Sequence, residues 1–515
     1  MKLYRLLEGI DILDTRGIED LEVKGVAYHS KRVREGYIYV AIKGYKTDGH
    51  VYIREAIERG AAAVVVEEFS DLPIPQIMVS NSRIALSRIG ANLNDHPSGS
   101  IRTIGVTATN GKTTTTFILD RIFELSGFKS GVIGSVMNKT GGRVEIAELT
   151  TPESLDLQGL FAEMRDNGIQ RASMEVSSSA LELYRTNDID FDIVSFANFS
   201  REHIDQHGSF ERYWEVKSSL IRNAKADATA VLNVDDQRIA DLINDTRSKV
   251  VTYSISSDKG DIQCRDIKLI KGRANYQVVV TRDIELGSVS IKKGDFCISL
   301  GIPGYHSVEN AMAATVIALA DGIPISIIKE ALNSFKGVER RFEFIFEEDF
   351  TVVDDHFANV KNINSTLGTL ADMGKNKLHI VYAIRGNRGV TVNRENAEAL
   401  ILWKEKLGVS DLVATRSIGA VGWKDEVAPE EEQVFREVIS RTDLELLVFD
   451  TLEEAIGDVL KRVEKNDIVL LAGCQGMDRG ARIAFDIISN MYPGIDREKL
   501  YHPLERRVSE HIDQL

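Results

Sequence analysis

A short segment around residue 110 constrains the fold of this chain more than any other. A strand-like run from Thr103 leads into a turn of small residues, then into Gly111-Lys112-Thr113, and then into a helical stretch. A phosphate-binding loop needs this context. Glycine lets the backbone approach the phosphate closely, backbone N–H groups and the helix N-terminus bind the anion, and lysine neutralises its charge. The general spacing G-x-x-x-x-G-K-[ST] fails, since Val106 occupies the first glycine position. A plain turn therefore stays open as an alternative, but the pattern favours nucleotide phosphate binding.

Strand-like apolar runs alternate with helical periodicity along most of the chain, which is too long, at 515 residues, for one hydrophobic core. We predict an α/β fold of three domains, 1–100, 101–337 and 338–515, with the phosphate loop in a mostly parallel central sheet. The strand-like runs are 37–42, 62–66, 76–79, 103–107, 172–176, 192–197, 228–233, 350–353, 378–383, 446–449 and 467–472.

Composition excludes several classes of protein. The net charge of -15 comes from interleaved acidic and basic residues without a long basic run, so we expect no nucleic-acid partner. No apolar run approaches membrane-spanning length, and charges interrupt the N-terminus where a signal peptide would need an apolar core. The three cysteines lie far apart, without metal-ligand spacing. We therefore expect a cytoplasmic protein that binds neither membrane nor nucleic acid.

Ordered motifs extend the phosphate loop into a family resemblance. The loop Thr107–Thr113 resembles the T-G-T-N-G-K-[ST] of the Mur ligases, with Ala108 in place of a glycine. Further segments resemble the family's motifs in the same order, and they are 150–152, 174–178, 198–208, Lys217, 233–236, 310–311 and 337–343. The resemblance covers residues 20 to about 345 well and the remainder weakly. It implies an ATP-dependent ligase that phosphorylates an acceptor carboxylate, after which an incoming amine displaces the phosphate.

The N-terminal block narrows the resemblance. Segments 25–33, 40–44 and 47–50 resemble the UDP-binding domain of the family's tripeptide synthetases, which folylpolyglutamate synthetases lack. The resemblance thus implies a UDP-linked peptide as acceptor, an N-terminal UDP-binding domain, and a Rossmann-like C-terminal domain for a free amino acid. The implied acceptor-binding residues are Ser30, Lys43, Gly44, Asp48, His50, Thr150, Thr151, Ser177 and Arg185.

The resemblance also implies residues for ATP and Mg²⁺. Those for ATP are Thr109, Asn110, Gly111, Lys112, Thr113, Thr114, Asn310, Arg341 and Asp354. Lys112, Glu175, His203 and Lys217 would be catalytic, and Thr113, Glu175, His203 and Lys217 would hold magnesium, with Lys217 as a carbamate. Simpler interpretations stay open: a buried ion-pair partner for Glu175, a polar core group for His203 and a surface charge for Lys217. His207 could serve only to brace the loop.

The third domain departs from the family pattern. The motif D-N-P-R, whose arginine binds the distal carboxylate of diaminopimelate, has no counterpart, and the nearest strand end is 414–417. Gly473–Asp478 replaces G-K-G-H-E, Ser179 replaces a histidine, and Val353–Asn359 resembles D-Y-A-H-x-P-D only loosely. Since bidentate carboxylate recognition by arginine is hard to replace, we predict an amine other than diaminopimelate, with Arg416 as a candidate contact.

Several functions remain open at this point. An archaeal pseudomurein peptide ligase is our first hypothesis, and a bacterial tripeptide synthetase that adds L-lysine or another amino acid is the second. Two hypotheses come from other classes: a P-loop ATPase or kinase, and a non-catalytic UDP-peptide binding protein. Retention of Lys112, Thr113, Glu175 and His203 argues against the last, since binding alone does not need a metal constellation.

Overall fold

The computed structural model describes residues 1–18, 21–44, 47–201, 207–270, 272–357 and 359–507. Contacts divide the chain into two compact units. Unit 1 comprises Met1–Gln263, Val280–Gly294 and Met312–Ile327, and unit 2 comprises Cys264–Val279, Asp295–Ala311 and Ile328–Leu515. The fold is α/β, as predicted. The predicted boundaries of the three domains stay a prediction.

The first hundred residues of unit 1 form a five-stranded sheet in the order β1-β5-β4-β3-β2. All pairs are parallel except the antiparallel pair β1 and β5. Apolar side chains of β3 and β4 are buried on both faces, which is typical of strands covered by helices on each side. The elements are α1 (Leu3–Leu6), β1 (Ile12–Arg16), β2 (Gly25–Ala27), β3 (Tyr37–Val40), α2 (Ile53–Glu58), β4 (Ala61–Val66), β5 (Gln76–Val79) and α3 (Ser82–Leu93).

The next strands of unit 1 belong to a sheet of eleven strands, in which these eight lie in the order β13-β12-β11-β6-β10-β7-β8-β9. The first six of these strands pair in parallel, and β8 and β9 are antiparallel additions. The strands are β6 (Arg102–Thr107), β7 (Ser130–Ile133), β8 (Met137–Lys139), β9 (Val144–Ile146), β10 (Arg171–Glu175), β11 (Ile193–Phe196), β12 (Thr229–Asn233) and β13 (Lys249–Ser254). The helices are α4 (Lys112–Leu125), α5 (Ser154–Asp166), α6 (Ser178–Glu182), α7 (Phe210–Arg222) and α8 (Gln237–Asp241).

The segment from 262 to 334 differs from the predicted alternation of strands and helices. Five strands follow one another here before two helices, and β15 alternates buried and half-buried side chains instead of showing a continuous apolar run. A strand covered on one face alternates apolar and polar residues, so it has no continuous apolar run that would predict it. The elements are β14 (Ile262–Ile270), β15 (Arg273–Val280), β16 (Ile284–Leu286), β17 (Val289–Ile291), β18 (Gly294–Pro303), α9 (Tyr305–Ala320) and α10 (Ile325–Ser334).

The rest of unit 2 contains a six-stranded sheet in the order β19-β20-β24-β21-β22-β23. Only the pair β19 and β20 is antiparallel. Its two faces carry separate apolar cores, one beneath α11, α12 and α13 and the other beneath α14 and α15. The elements are β19 (Glu343–Glu347), β20 (Thr351–Asp355), α11 (Val360–Asp372), β21 (Leu378–Ala383), α12 (Val390–Leu407), β22 (Asp411–Thr415), α13 (Pro429–Ile439), β23 (Glu445–Phe449), α14 (Leu452–Leu460), β24 (Ile468–Ala472), α15 (Gly480–Met491) and α16 (Arg497–Tyr501).

Register places three functional segments of unit 1 at one sheet edge. Glu175 at the end of β10 lies opposite Val106 of β6, and Phe196 at the end of β11 lies opposite Thr107. The carboxyl ends of β6, β10 and β11 therefore lie side by side. In open α/β sheets, ligands bind in the crevice outside this edge.

Candidate active site

The phosphate loop has the geometry that its sequence predicts. It connects β6 to α4, and Gly111 caps the helix with a φ of 85°, a left-handed conformation that favours glycine. Lys112 lies in the first turn and donates from Nζ to the carbonyl oxygens of Ala108, at 3.0 Å, and Thr109, at 3.2 Å. The predicted residues Thr109 to Thr114 are thus together in one loop and helix turn, where backbone N–H groups and lysine can hold phosphate.

Asn198 braces this loop, although it is not among the site residues predicted from the sequence. The Asn198 amide donates to the Asn110 carbonyl at 2.9 Å, and Asn198 Oδ1 accepts from the Asn110 N–H at 3.0 Å. The Asn198 carbonyl accepts from the Thr109 N–H at 3.0 Å. These bonds tie the loop to the end of β11. The signal was available, because Asn198 opens the segment 198–208 that resembles a family motif.

Glu175 is buried and held by hydrogen bonds at the end of β10. It is 1% exposed, and its carboxylate accepts from the Ser135 N–H at 2.7 Å and from Ser135 Oγ at 3.0 Å. A methyl group on Gly134 would lie 2.4 Å from Glu175 Oε1, so only glycine leaves room for the carboxylate. Each carboxylate oxygen keeps further acceptor capacity, which a cation or its hydration shell could use.

Lys217 is buried on α7 and is not a surface charge. It is 1% exposed, and its Nζ donates to the carbonyl oxygen of Ala108 in the phosphate loop. Nζ also lies 5.3 Å from the centre of the Tyr213 ring. The structure thus brings Lys217 to the loop. Its carbamylation stays a proposal.

The segment 198–208 contains the two histidines considered for the site from the sequence, His203 and His207. His203 lies outside the described residues. His207 Nε2 shares a hydrogen bond of 2.9 Å with Ser178 Oγ, and His207 Nδ1 lies 3.0 Å from Glu182 Oε2. These contacts tie the segment to α6, the bracing role considered from the sequence.

The described part of this site suits Mg²⁺ by its donor chemistry. Glu175 supplies a carboxylate and Thr113 a hydroxyl, both hard oxygen donors. Within the described ranges, no three side chains of His, Cys, Asp or Glu form a cluster that could hold a metal. Mg²⁺ in phosphate sites usually takes one or two carboxylates, with water and substrate phosphate completing its shell. We therefore assign Glu175 and Thr113 as the described side chains that would hold it.

The predicted acceptor residues of the central domain lie together beside Glu175. Thr151 Oγ1 donates to the Glu175 carbonyl at 2.8 Å and accepts from the Ser177 N–H at 3.1 Å. Arg185 donates to the Thr151 carbonyl at 3.0 Å, and Thr150 Oγ1 accepts from Ser135 Oγ at 3.2 Å. A carboxylate bound here would be adjacent to the candidate magnesium ligand.

The predicted residues of the N-terminal block form one polar network, except for Ser30. His50 Nδ1 lies 2.6 Å from Asp48 Oδ1, and its Nε2 accepts from the Glu67 N–H at 2.9 Å. The Glu67 carboxylate pairs with Lys43 at 2.9 Å, and this hydrogen bond raises the pKa of Lys43. Gly44 follows Lys43 and closes a turn onto the Thr47 carbonyl at 2.8 Å. Ser30 instead donates to Glu55 at 2.7 Å.

Unit 2 places Asp354 in a buried ion-pair cluster. Asp354, at the end of β20, is 0% exposed and pairs with Arg340 at 3.4 Å and with Arg507 at 2.8 Å. Arg340 also binds Asp478 and the Gly473 carbonyl. Arg341 and Asp354 are separate predicted ATP contacts, and the arginine that pairs with Asp354 is Arg340, the neighbour of Arg341. Asn310 is buried on α9. The predicted contacts of Asn310, Arg341 and Asp354 with ATP stay predictions.

Burial shifts several titratable groups around this cluster. It raises the pKa of Asp478 to about 6, against the opposing effect of Arg340. It also raises the pKa of Asp355 to about 6, although the N–H groups of Phe357 and Phe342 donate to that carboxylate. Burial, reinforced by nearby arginines, lowers the pKa of His356 to about 2. His356 is therefore a neutral side chain at physiological pH.

The turn Gly386–Gly389 holds a carboxylate of the protein itself. Glu431, near the start of α13, accepts from the N–H groups of Asn387 at 3.0 Å, Arg388 at 2.8 Å and Gly389 at 2.6 Å. It also accepts from the Ala428 N–H at 3.0 Å. Burial opposes ionisation, but these four N–H groups lower the pKa of Glu431. The turn therefore fastens α12 to α13.

Arg416 follows β22 and is already paired. Its Nη2 binds Asp450, and its Nε lies 3.7 Å from Glu432. The hydrogen bond with Asp450 raises the pKa of Arg416. The guanidinium thus has two carboxylates of the protein as neighbours, which reduces its value as a partner for a ligand carboxylate.

Three family models match this chain along most of its length. The Mur ligase family catalytic domain matches residues 22–93, the Mur ligase middle domain matches 106–318, and the Mur ligase glutamate ligase domain matches 340–475. The chain belongs to the Mur ligase family. Mur ligases are ATP-dependent enzymes that form amide bonds, so the resemblance inferred from the motifs is confirmed, as is the prediction of an ATP-dependent ligase.

Relatives and solved structures agree with this assignment. The chain is 34% identical over 476 residues to the UDP-N-acetylmuramoyl-L-alanyl-D-glutamate--2,6-diaminopimelate ligase of Caldanaerobacter subterraneus subsp. tengcongensis, covering 92% of this chain and 94% of that protein. A solved structure of a ligase with the same name shares a TM-score of 0.66 at 23% identity, covering 92% of this chain and 93% of that one. A pseudomurein peptide ligase type C from Methanothermus fervidus has a TM-score of 0.53 at 18% identity, covering 88% and 94%. The three-domain α/β architecture of Mur ligases is therefore the architecture of this chain.

Every helix in the described ranges is too short or too polar to cross a lipid bilayer.

Proposed function

We propose that this Mur ligase joins an amino acid without a second carboxylate to a UDP-linked peptide precursor of a cell-wall polymer. The pairing of Arg416 with two carboxylates, Asp450 and Glu432, carries this proposal. These acidic neighbours oppose the binding of a further carboxylate at the strand end that lies nearest to the position of the family's diaminopimelate motif. A lysine-like amine needs no such arginine. The name of the relative at 34% identity favours diaminopimelate instead, so the amine is the first property to test.

The chemistry rests on side chains described above. Lys112 and the loop N–H groups would hold the ATP phosphates, and magnesium held by Glu175 and Thr113 would neutralise them. Thr150, Thr151, Ser177 and Arg185 would place the acceptor carboxylate for phosphorylation. The amine then attacks the acyl phosphate, which forms the amide and releases phosphate. Positioning and charge neutralisation supply the rate, without a protein nucleophile. Carbamylation of Lys217, a contact of His203 with magnesium, and contacts of Asn310, Arg341 and Asp354 with ATP belong to the same proposal.

Two precursors are candidates for the acceptor. A pseudomurein peptide is the first, supported by the departures from the bacterial motifs and by the shared fold with the Methanothermus fervidus ligase. A muramoyl peptide is the second, supported by the 34% identity to the Caldanaerobacter enzyme. Since ATP is the co-substrate, we place the reaction in the cytoplasm.

A turnover panel tests the proposal. Purified chain with Mg·ATP is given a UDP-linked muramoyl dipeptide or a pseudomurein precursor peptide, together with lysine, diaminopimelate or another amino acid. Phosphate release is measured and products are weighed by mass spectrometry. We expect a condensed product with lysine or another amine that has one carboxylate. A product with diaminopimelate, while lysine stays inert, would refute the proposed amine. A phosphorylated product without a new amide would instead indicate a kinase, and acceptor binding without turnover would indicate a binding protein.

A further inference from the structure

Three charged side chains of unit 1 form a buried bridge, and only one of them, Arg185, belongs to the predicted acceptor site. Glu153 lies just before α5, and its carboxylate pairs with Arg83 of α3 at 3.0 Å and with Arg185 at 2.9 Å. The three side chains are only 10–13% exposed. Two guanidinium groups are therefore held on one carboxylate.

This bridge has an excess of positive charge. In the part of the chain that the structure describes, Glu153 is the only carboxylate that pairs with Arg83 or with Arg185. Arg185 Nε is buried and has no hydrogen-bond partner among the described residues. Burial of a charge without a partner is costly, so an anion that binds here would gain from both the charge and the unused N–H.

The bridge also connects the two predicted parts of the acceptor site. Arg83 Nε donates to the Lys43 carbonyl at 2.7 Å, and Arg83 Nη2 is 4.0 Å from the position that a methyl group on Gly44 would take. Arg185 donates to the Thr151 carbonyl at 3.0 Å. One guanidinium thus lies against the turn assigned to UDP, and the other against the residues assigned to the acyl end.

We propose that Arg83 binds an anionic group of the acceptor together with Arg185, and that Glu153 is a positioning residue that sets the spacing of the two guanidinium groups. This inference rests on the proposed UDP-linked acceptor, which carries anions of two kinds, the diphosphate and the peptide carboxylates. Arginine recognises both through paired N–H donors.

The test measures acceptor binding directly. The full chain and its Arg83→Gln variant are titrated in a calorimeter with two probes, UDP alone and UDP-N-acetylmuramoyl-L-alanyl-D-glutamate, and separately with Mg·ATP. Loss of a charge-assisted hydrogen bond should weaken binding of the peptide probe about 10- to 100-fold. ATP affinity should not change. An equal loss for UDP assigns the diphosphate to Arg83, and a loss confined to the peptide probe assigns a carboxylate.

Two further variants separate binding from folding. Arg54→Gln removes the same charge from an exposed position of α2 and should bind as the wild type does. Glu153→Asp keeps the charge but shortens the side chain, so the KM for acceptor should rise about 10-fold while kcat at saturating acceptor is retained. Should Arg83→Gln fold poorly, Arg83→Lys keeps the charge without the paired donors and should also weaken acceptor binding.

The outcomes distinguish this inference from the proposed function. If the wild type condenses the acceptor and Arg83→Gln binds both probes as tightly as the wild type, the inference alone is overturned. If the wild type binds neither probe and condenses neither precursor of the turnover panel, the proposed acceptor fails and the inference fails with it.

Discussion

At the scale of single residues, the functional side chains of unit 1 are fixed by hydrogen bonds to neighbouring loops. Glu175 is held by Ser135, and the phosphate loop is held by Asn198. Such contacts reduce the number of conformations that a side chain must lose on binding, and pre-organisation of this kind is a large part of catalysis. The supporting residues should therefore matter almost as much as the groups they hold.

Asn198 provides the first test of this view. Asn198→Leu removes both side-chain hydrogen bonds to Asn110, so the loop should lose its fixed form. We expect the KM for ATP to rise about 10-fold or more, in line with the cost of one or two hydrogen bonds. Asn244→Leu, an exposed position in the same unit, serves as the control. An unchanged KM in Asn198→Leu would show that the loop does not need this brace.

The sequence predicted side chains in this site better than it predicted their partners. The glycine, lysine and threonine of the loop are recognisable because phosphate binding demands those residue types at adjacent positions. The pairing of Asp354 with Arg340 was not recognisable, because the adjacent arginines Arg340 and Arg341 look alike in the sequence until the backbone fixes their directions. Arg507 was also missed, since it lies more than 150 residues from Asp354 along the chain.

At the scale of elements, the turn before α12 shows how one side chain can join two helices. Glu431 of α13 satisfies three N–H groups of the turn Asn387–Gly389 and one of its own helix start. A backbone turn with several converging N–H groups is an anion-binding site. In this protein the anion is supplied from within the chain.

Glu431→Gln tests this account through stability and its pH dependence. Glutamine has one acceptor oxygen, so about two N–H groups would lose their partner, at a cost of about 2–4 kcal/mol in the unfolding free energy of unit 2. The pKa of Glu431 is lowered in the folded state, so its stabilisation is present above the ordinary pKa of 4.5 and is lost as pH falls below it. The difference between wild type and Glu431→Gln should therefore be constant from pH 7 to about 5.5 and shrink towards pH 3.

Urea denaturation at several pH values measures this difference. Glu430→Gln, the exposed neighbour in the same helix turn, should change stability little at any pH. A difference between wild type and Glu431→Gln that stays the same down to pH 3 would contradict the assigned role of the carboxylate.

Element prediction located strands that contain an apolar run, including the half-buried β23, and missed strands whose apolar residues alternate with polar ones. The run predicted at 378–383 coincides with β21, all of whose residues are buried. The strand β15, by contrast, has Arg273 and Gln277 on the face opposite its buried residues, so its apolar content is diluted. The β22 strand end at Thr415 was located, but the partners of Arg416 were not, since they come from other elements.

At the scale of the whole molecule, the chain consists of two compact units with their own apolar cores. The phosphate loop, Glu175, Lys217 and the bridge of Arg83 with Arg185 belong to unit 1. The cluster around Asp354 belongs to unit 2. A ligand that binds residues of one unit should therefore stabilise that unit before the other.

Nucleotide binding tests this division. The chain has three tryptophans, of which Trp214 lies in unit 1 and Trp403 and Trp423 lie in unit 2. A variant with Trp403→Phe and Trp423→Phe reports on unit 1 alone. A magnesium complex of a non-hydrolysable ATP analogue at 100 times its Kd should stabilise that unit by about 2.7 kcal/mol. The stabilisation should appear as a later denaturation midpoint in tryptophan fluorescence.

Lys112→Met supplies the comparison for this experiment. The variant removes the cation of the phosphate loop and leaves the tryptophans in place, so the nucleotide should no longer shift the midpoint. An equal shift in Lys112→Met and in the parent would mean that the nucleotide binds elsewhere.

The narrow space between Gly134 and Glu175 has a consequence for the evolution of this enzyme. Gly134 carries no functional group, yet any side chain there would displace the carboxylate beside it. In a library of all single substitutions, position 134 should tolerate as few replacements as position 175. Sequence change at the site is then restricted by Gly134, whose role is to leave space for the carboxylate. Gly134 has no reactive group that would mark it as functional.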